Sequence, residues 1–287
     1  MPISGLSLVL LAACCHATWN LFVKRINGGA ELIWLFSTIS SLLYLPLLLW
    51  VVIAERPEFG PLQIGFTLGS ALIHLGYFLM LQTGYRKGDL SLVYPVARAT
   101  GPLLSSSFAV LVLGEVMTPP MAVGAAIIVF GVLMLSGGIK AGARRPSSSL
   151  AFGLSTGVLI GSYTVWDAYA VSILLVPPLI LDYATNISRA VLLAPIAHRR
   201  RALVRQHWRD HRAGVLAIAI LSPLAYILVL YAMTFTPVAY VAPTRELSVV
   251  LSVLAGSILL GEGRLKWRLA WGLVIVCGTA ILALSGG

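Results

Sequence analysis

The chain has 287 residues, of which 59% are hydrophobic and only 10% are charged, and its mean hydropathy is +0.93. Soluble domains carry about 25% charged residues, so this composition excludes a soluble globular protein and indicates an integral membrane protein. The net charge of +10 does not indicate nucleic-acid binding. The basic residues lie mostly in short connections between apolar runs, where they act as topology signals.

Ten runs of mostly apolar residues are each long enough to cross a membrane as a helix, which takes about 20 residues. The predicted spans are Ile3–Val23, Glu31–Ile53, Leu62–Gly84, Leu90–Leu113, Pro119–Gly138, Leu150–Tyr169, Ser172–Ala197, Gly214–Phe235, Pro237–Leu260 and Trp267–Leu284. The predicted fold class is therefore an all-α integral membrane bundle. We expect it in the cell inner (plasma) membrane as a multi-pass protein.

The second five spans repeat features of the first five at one constant offset. The coinciding pairs are His16 with Tyr163, Trp19 with Trp166, Asn20 with Asp167, Arg98 with Arg245, and Glu115 with Glu262. An odd number of spans per unit turns the second unit upside down, which is the inverted-repeat plan of secondary transporters. We predict a first repeat over residues 1–138, a basic connection over 139–149 and a second repeat over 150–287.

The basic residues of the connections fall almost entirely on one side of the membrane, and Arg56 alone lies on the other. By the positive-inside rule, this distribution places both termini outside. The most basic segment is His198–Arg212. We predict a cytoplasmic loop that anchors the chain at the membrane surface, with a regulatory role or binding of anionic lipids as the alternative.

Aromatic and hydrogen-bonding residues share one face of the first helix of each repeat, because they are spaced i, i+3, i+4. They are His16, Trp19 and Asn20 in the first helix and Tyr163, Trp166 and Asp167 in the sixth. Such a face could bind an organic solute, with ring faces against its body and polar groups at its ends. The alternative is that these side chains only join neighbouring helices.

The fourth and ninth spans carry charged residues well inside the apolar run, where an ionised group costs about 2.5–3.5 kcal/mol on insertion scales. Tyr94 and Arg98 share a face, whereas Arg245 and Glu246 point about 100° apart on an ideal helix. One hypothesis is an internal salt bridge, for example between Arg98 and either Glu246 or Asp167. The other is that an arginine binds a substrate carboxylate, while a carboxyl group binds an ammonium group or a coupling proton.

The third and eighth spans contribute His74, Tyr77 and Tyr226 as further candidates. A histidine in a membrane helix could relay protons or could simply pack inside the bundle. Asp182 and Arg189 lie seven residues apart on one face of the seventh span, and we interpret them mainly as a packing or pairing element.

The candidate substrate-binding residues are therefore His16, Trp19, Asn20, His74, Tyr77, Tyr94, Arg98, Tyr163, Trp166, Asp167, Tyr226 and Glu246. No enzyme signature accompanies them. The sequence has no Walker-type loop, so ATP is not expected to drive it. It has no metal-ligand spacing and no catalytic residue is expected. We predict a protein that is not an enzyme and uses no cofactor.

At this point the chain resembles the drug/metabolite transporter superfamily, EamA type, over nearly its whole length. The resemblance is carried by the two five-span repeats and by short motifs at matching positions. These motifs are Trp19-Asn20 and Trp166-Asp167, the prolines Pro95 and Pro243, and the Leu-Gly-Glu endings at 113–115 and 260–262.

The resemblance implies a secondary carrier that alternates access through a central cavity. It implies that the first, third and fourth helices of each repeat line that cavity, while the fifth and tenth pack away from it. Bacterial members of this type commonly export amino acids and related metabolites. Many members are thought to keep both termini in the cytoplasm, so the orientation stays open against the charge distribution above.

Three functions follow as hypotheses. The first is an exporter of amino acids or related small metabolites, whose partners are the solute, the lipid bilayer and, in one version, a coupling proton. The second is a proton-coupled efflux carrier for drugs or lipophilic cations. The third is a non-transporting membrane scaffold or a partner of a lipid flippase. The sequence does not name the solute, the coupling ion or the oligomeric state.

Overall fold

The computed structural model describes residues 2–87, 90–135, 146–260 and 265–285, and the regular structure of these residues is entirely α-helical. The helices are α1 (Ile3–Ile26), α2 (Ala30–Glu55), α3 (Pro61–Lys87), α4 (Leu90–Val112), α5 (Pro119–Leu135), α6 (Pro146–Ser172), α7 (Pro178–Arg199), α8 (Arg201–Met233), α9 (Val238–Thr244), α10 (Leu247–Leu260) and α11 (Leu265–Leu284). Helices satisfy their own backbone hydrogen bonds, which a membrane interior requires.

The helical spans confirm the ten predicted crossings. Among the described residues, eight spans are long and apolar enough to cross a membrane, and Val96–Val112 and Pro119–Leu135 are shorter apolar helices. Large apolar side chains such as Leu42, Leu72 and Ile258 lie on the outer surface and are more than half exposed. An outer surface of this kind suits contact with lipid.

Two predicted boundaries were wrong, and proline and helix propensity explain why. The seventh helix begins at Pro178 instead of Ser172, because proline is well placed in a first turn but breaks a helix interior. The segment His198–Arg212, predicted as a loop, is almost entirely helical, with non-helical backbone at His211 (φ −136°, ψ 24°). Its Ala, Leu, Arg and Gln residues are strong helix formers.

The predicted ninth span, Pro237–Leu260, is also divided. Helix α9 ends at Thr244 and α10 begins at Leu247, so Arg245 and Glu246 lie in a turn between them. Pro243 has no N–H to donate back to the preceding turn. Tighter i to i+3 bonds replace the regular pattern, from Glu246 N to Pro243 O and from Ser248 N to Arg245 O, both 3.0 Å.

The two repeats interlock around a pseudo-twofold axis. Helix α1 packs against α8 and α10 of the second repeat, and its counterpart α6 packs against α3 and α4 of the first. The pairs α2–α7 and α5–α11 are made of equivalent helices, so they lie on the axis. This exchange of partners is what an inverted repeat requires, and it brings the first, third and fourth helices of both repeats to one centre.

In the sequence, Gly124, Gly131 and Gly138 recur every seven residues, which predicts that α5 packs closely against Gly272 and Gly278 of the last span. A side-chain carbon added at Gly124 would lie 2.9 Å from the carbonyl oxygen of Gly278, and one added at Gly278 would lie 2.9 Å from that of Gly124. The prediction is confirmed for this pair. Gly272 instead lies against Val250 of α10, and Gly138 falls outside the described residues.

We expect Gly124→Ala to lower the free energy of unfolding by about 1–3 kcal/mol, because the methyl group must displace a backbone. Gly65→Ala in α3 is the matched control, since a side-chain carbon there meets nothing within 4 Å. Denaturation of both variants in detergent micelles measures the difference. Equal stability of the two variants would contradict the close approach of α5 and α11.

Candidate functional site

A cavity of about 180 Å³ lies at the centre of the bundle, between the two repeats. Helices α1, α3 and α4 line it from the first repeat, and α6, α7, α8, the α9–α10 turn and α10 line it from the second. An engineered cavity of about 150 Å³ holds benzene, so this volume suits a small organic solute. Seven predicted site residues line it: His16, Trp19, His74, Tyr77, Arg98, Tyr163 and Tyr226.

Aromatic rings form one wall of the cavity. His74 stacks on Tyr163 with ring centroids 4.2 Å apart, and Tyr77 and Tyr226 meet the same tyrosine edge-on at 5.6 and 6.4 Å. Trp19 stands edge-on to His16 at 4.9 Å. The indole N–H of Trp19 is buried and has no acceptor among the described residues.

Asp167 lies behind this wall, fully buried on α6. The Tyr226 hydroxyl donates a hydrogen bond of 2.5 Å to Asp167 Oδ2, and His74 Nε2 lies 3.8 Å from the same oxygen. His74 Nδ1 is 2.9 Å from the Ser70 carbonyl oxygen, which can only accept, so Nδ1 carries a proton. The imidazole therefore turns Nε2 toward Asp167, and the two groups together can hold one more proton.

An ion pair connects the repeats at another edge of the cavity. Arg98 Nη1 of α4 lies 3.4 Å from Glu246 Oε1 in the turn between α9 and α10. Glu246 is buried, and the Tyr94 ring lies under the arginine with its centroid 5.9 Å from the guanidinium carbon. The salt bridge between Arg98 and Glu246, one of those proposed from the sequence, is thus present. Its glutamate lies in the turn between α9 and α10.

Helix α7 contributes lining residues that sequence reasoning assigned to packing. Asp182, Thr185 and Arg189 all face the cavity. Asn186 Nδ2 donates to Asp182 Oδ2 at 2.8 Å, and Arg189 Nη2 donates to Asn186 Oδ1 at 3.1 Å. Their spacing on one helical face was a usable signal, because charged residues inside a membrane span usually face the interior or a cavity.

Three other polar lining residues are not among the candidates from the sequence. Arg245 lies in the α9–α10 turn, and Ser222 and Ser248 lie on α8 and α10. Arg245 is one of the arginines that could bind a substrate carboxylate by the hypothesis above, although it is not among the candidate residues.

Five candidates lie outside the lining: Tyr94, Asp167 and Glu246, whose contacts are given above, and Trp166 and Asn20. Trp166 packs between α6 and α3, where its ring stacks on Phe66 with centroids 4.3 Å apart and its Nε1 donates to the Phe66 carbonyl oxygen at 2.8 Å. Asn20 is half-buried and is not among the lining residues. For Trp166, the geometry is that of a side chain joining helices.

No cluster of three or more metal-ligating side chains occurs in the described ranges. The family comparison fits the geometry above. A family model described as the EamA-like transporter family matches the chain twice, over residues 3–137 and 147–285. The chain belongs to the EamA-like transporter family.

Solved structures share this EamA-like fold, and 29 of their chains match. One, described only as the crystal structure of a protein, aligns with a TM-score of 0.76 at 17% sequence identity and covers 99% of this chain and 98% of its own. At that identity the likeness concerns the fold alone. Among curated proteins, none matches the sequence.

In this EamA-like protein we expect Arg98→Gln to lower the free energy of unfolding by about 3–5 kcal/mol, because it leaves Glu246 buried without its partner. The double variant R98Q/E246Q is expected to cost less than the sum of the single changes. Arg209→Gln, which removes an exposed ion pair with Asp210, is the control and should cost about 0–1 kcal/mol.

Chemical denaturation of the wild type, R98Q, E246Q and R98Q/E246Q in detergent micelles measures the interaction energy of the pair. If the two single changes add in the double variant to within about 0.5 kcal/mol, the pair does not join the repeats energetically.

Proposed function

We propose that this protein is a secondary transporter that exports amino acids or related small metabolites across the cell inner membrane. The observation that carries the proposal is the cavity of about 180 Å³ between the repeats, lined by side chains from both. A solute bound there contacts both repeats, which can move against each other as rigid units. This is the geometry that alternating access uses.

The chemistry of the lining favours a polar metabolite over a lipophilic cation. Arg98, Arg189 and Arg245 all line the cavity, and like charges disfavour a cationic drug. Its volume is also below the range of about 300–1,000 Å³ found for drug-sized sites. A scaffold without transport would have no use for a polar cavity buried in a bilayer, where each ionised group is costly.

We expect purified protein in liposomes to exchange labelled amino acids or related metabolites across the bilayer. Trp19→Ala should lower that exchange about tenfold or more, because a large ring that contacts the solute contributes about 1.5–3 kcal/mol. Trp50→Ala is the matched control, since Trp50 is 60% exposed on the outer surface of α2. Absence of flux across a broad amino-acid and metabolite screen would contradict the proposed function.

A proton is the coupling ion that the site favours. Asp167, His74 and Tyr226 form a buried cluster beside the cavity, and the Tyr226 hydroxyl and His74 Nε2 both lie at one carboxylate oxygen. A proton bound there would neutralise Asp167, and the tyrosine could then turn its hydroxyl toward the solute. The alternative function, proton-coupled drug efflux, would use the same cluster.

We expect Asp167→Asn to abolish accumulation driven by a pH gradient while leaving solute exchange at equal pH intact. Asparagine keeps the shape and still accepts the Tyr226 hydroxyl, but it cannot take up a proton. Asp210→Asn, at an exposed position of α8, is the control. Gradient-driven uptake by D167N at the wild-type rate would show that this carboxylate does not couple protons.

A further inference from the structure

The cavity presents an uneven charge to its contents. Three guanidinium groups line it, those of Arg98, Arg189 and Arg245, but Asp182 is the one carboxylate among its described lining residues. Asp167 and Glu246 lie close by and are buried, but neither lines the cavity. The carboxylates therefore stand mostly behind the surface that a solute meets, while the cations stand on it.

Each of the nearby carboxylates already has a protein partner. Asp167 accepts from the Tyr226 hydroxyl, and Glu246 pairs with Arg98. Asp182 accepts from the Asn186 side-chain amide at 2.8 Å. The second oxygens of Asp167 and Glu246, Oδ1 and Oε2, have no hydrogen-bond partner among the described residues, but they are buried and lie outside the cavity lining.

Among the described residues, two of the three guanidinium groups form no direct ion pair, and neither does Asp182. Asp167 and Glu246 attract Arg245 only over a longer range. Within the described ranges, Arg245 has no carboxylate oxygen within 4.0 Å, and its guanidinium carbon lies 5.7 Å from the centroid of the Tyr226 ring. Arg189 donates to two neutral acceptors, Asn186 Oδ1 at 3.1 Å and the Thr185 carbonyl oxygen at 3.4 Å. Asp182 acts on Arg189 only through longer-range attraction.

The two groups act on one region of the cavity. Both line the same cavity of about 180 Å³, and Arg245 lies over the ring of Tyr226, which lines it too. A single small solute can therefore contact both guanidiniums. Trp19 also lines the cavity, and its indole N–H is buried without an acceptor among the described residues. On the described surface that a solute meets, three guanidinium groups thus stand against one carboxylate.

We propose that the transported solute carries a net negative charge and two acidic groups, as an acidic amino acid or a small dicarboxylic acid does. One carboxylate binds Arg245 and the other binds Arg189. An arginine can meet each carboxylate with two parallel hydrogen bonds, and the aromatic wall packs against the carbon chain between them. The inference rests on the proposed transport function and narrows its substrate class.

Exchange in liposomes tests the proposal with four labelled probes: glutamate, succinate, leucine and lysine. We expect the wild-type protein to exchange glutamate or succinate at least about tenfold faster than leucine or lysine at equal concentration. R245Q and R189Q should each raise the KM for the acidic probe by about tenfold, since a charge-assisted bond is lost. R209Q, on the exposed surface, should leave the KM unchanged.

The outcomes separate this proposal from the broader function. Exchange of leucine or lysine without exchange of the acidic probes overturns the charge assignment and leaves the transporter intact. Exchange of none of the four probes overturns the charge assignment too, and the broader metabolite screen then decides the transport function. R245K and R189K keep the charge but lose the planar fork, so they should retain more glutamate exchange than the glutamine variants.

If a glutamine variant does not fold, the wild-type protein still provides a test. We expect glutamate or succinate to raise its thermal midpoint in detergent, whereas leucine and lysine should not. A shift caused by leucine or lysine alone would refute a preference for acidic solutes.

Discussion

An ionised group inside a bilayer needs a partner, and this requirement organises the centre of the protein. The partners come from other helices. Arg98 of α4 pairs with Glu246 of the second repeat, and Glu115, just after α4, accepts the backbone N–H groups of Val238 and Ala239 at the start of α9, at 2.6 and 2.9 Å. The first-turn N–H groups of a helix have no partner within it, so this carboxylate supplies one across the repeat boundary. These contacts therefore provide partners for buried charged groups and at the same time join the two repeats.

The break between α9 and α10 is a structural difference between the two repeats. Helix α4, the counterpart in the first repeat, runs unbroken from Leu90 to Val112, whereas the second repeat turns at Arg245 and Glu246. The turn lets neighbouring residues serve different purposes. Glu246 reaches back to pair with Arg98, while Arg245 lines the cavity. Consecutive residues of a helical turn point about 100° or more apart, which leaves Arg245 on the cavity lining and Glu246 outside it.

Much of this architecture could be predicted from the sequence, because membrane helices are set by length and apolarity and the repeat is visible as an offset. The offset also located His16 and Tyr163 on the lining, since a shared face survives duplication. What could not be predicted is which polar face turns inward once ten helices pack. Trp166 has the same spacing as Trp19 but lies against Phe66 of α3. The charge of Arg189 indicates an inward position, but its place on the cavity lining depends on how the whole of α7 packs.

The departure of the repeats from symmetry has a functional consequence. At the offset that aligns Trp19 with Trp166, Asp182 and Arg189 of α7 correspond to Leu35 and Leu42 of α2, and Leu42 is exposed on the outer surface. An inverted repeat with identical halves would give inward-facing and outward-facing states of equal energy. The charges of α7 have no counterpart in α2. In the proposed alternating-access cycle, the two states would therefore differ in electrostatic energy around the cavity. A bound anion that neutralises Arg189 and Arg245 would reduce that energy difference. The two states would then interconvert more easily with solute bound than without it. Such a dependence couples binding to transport.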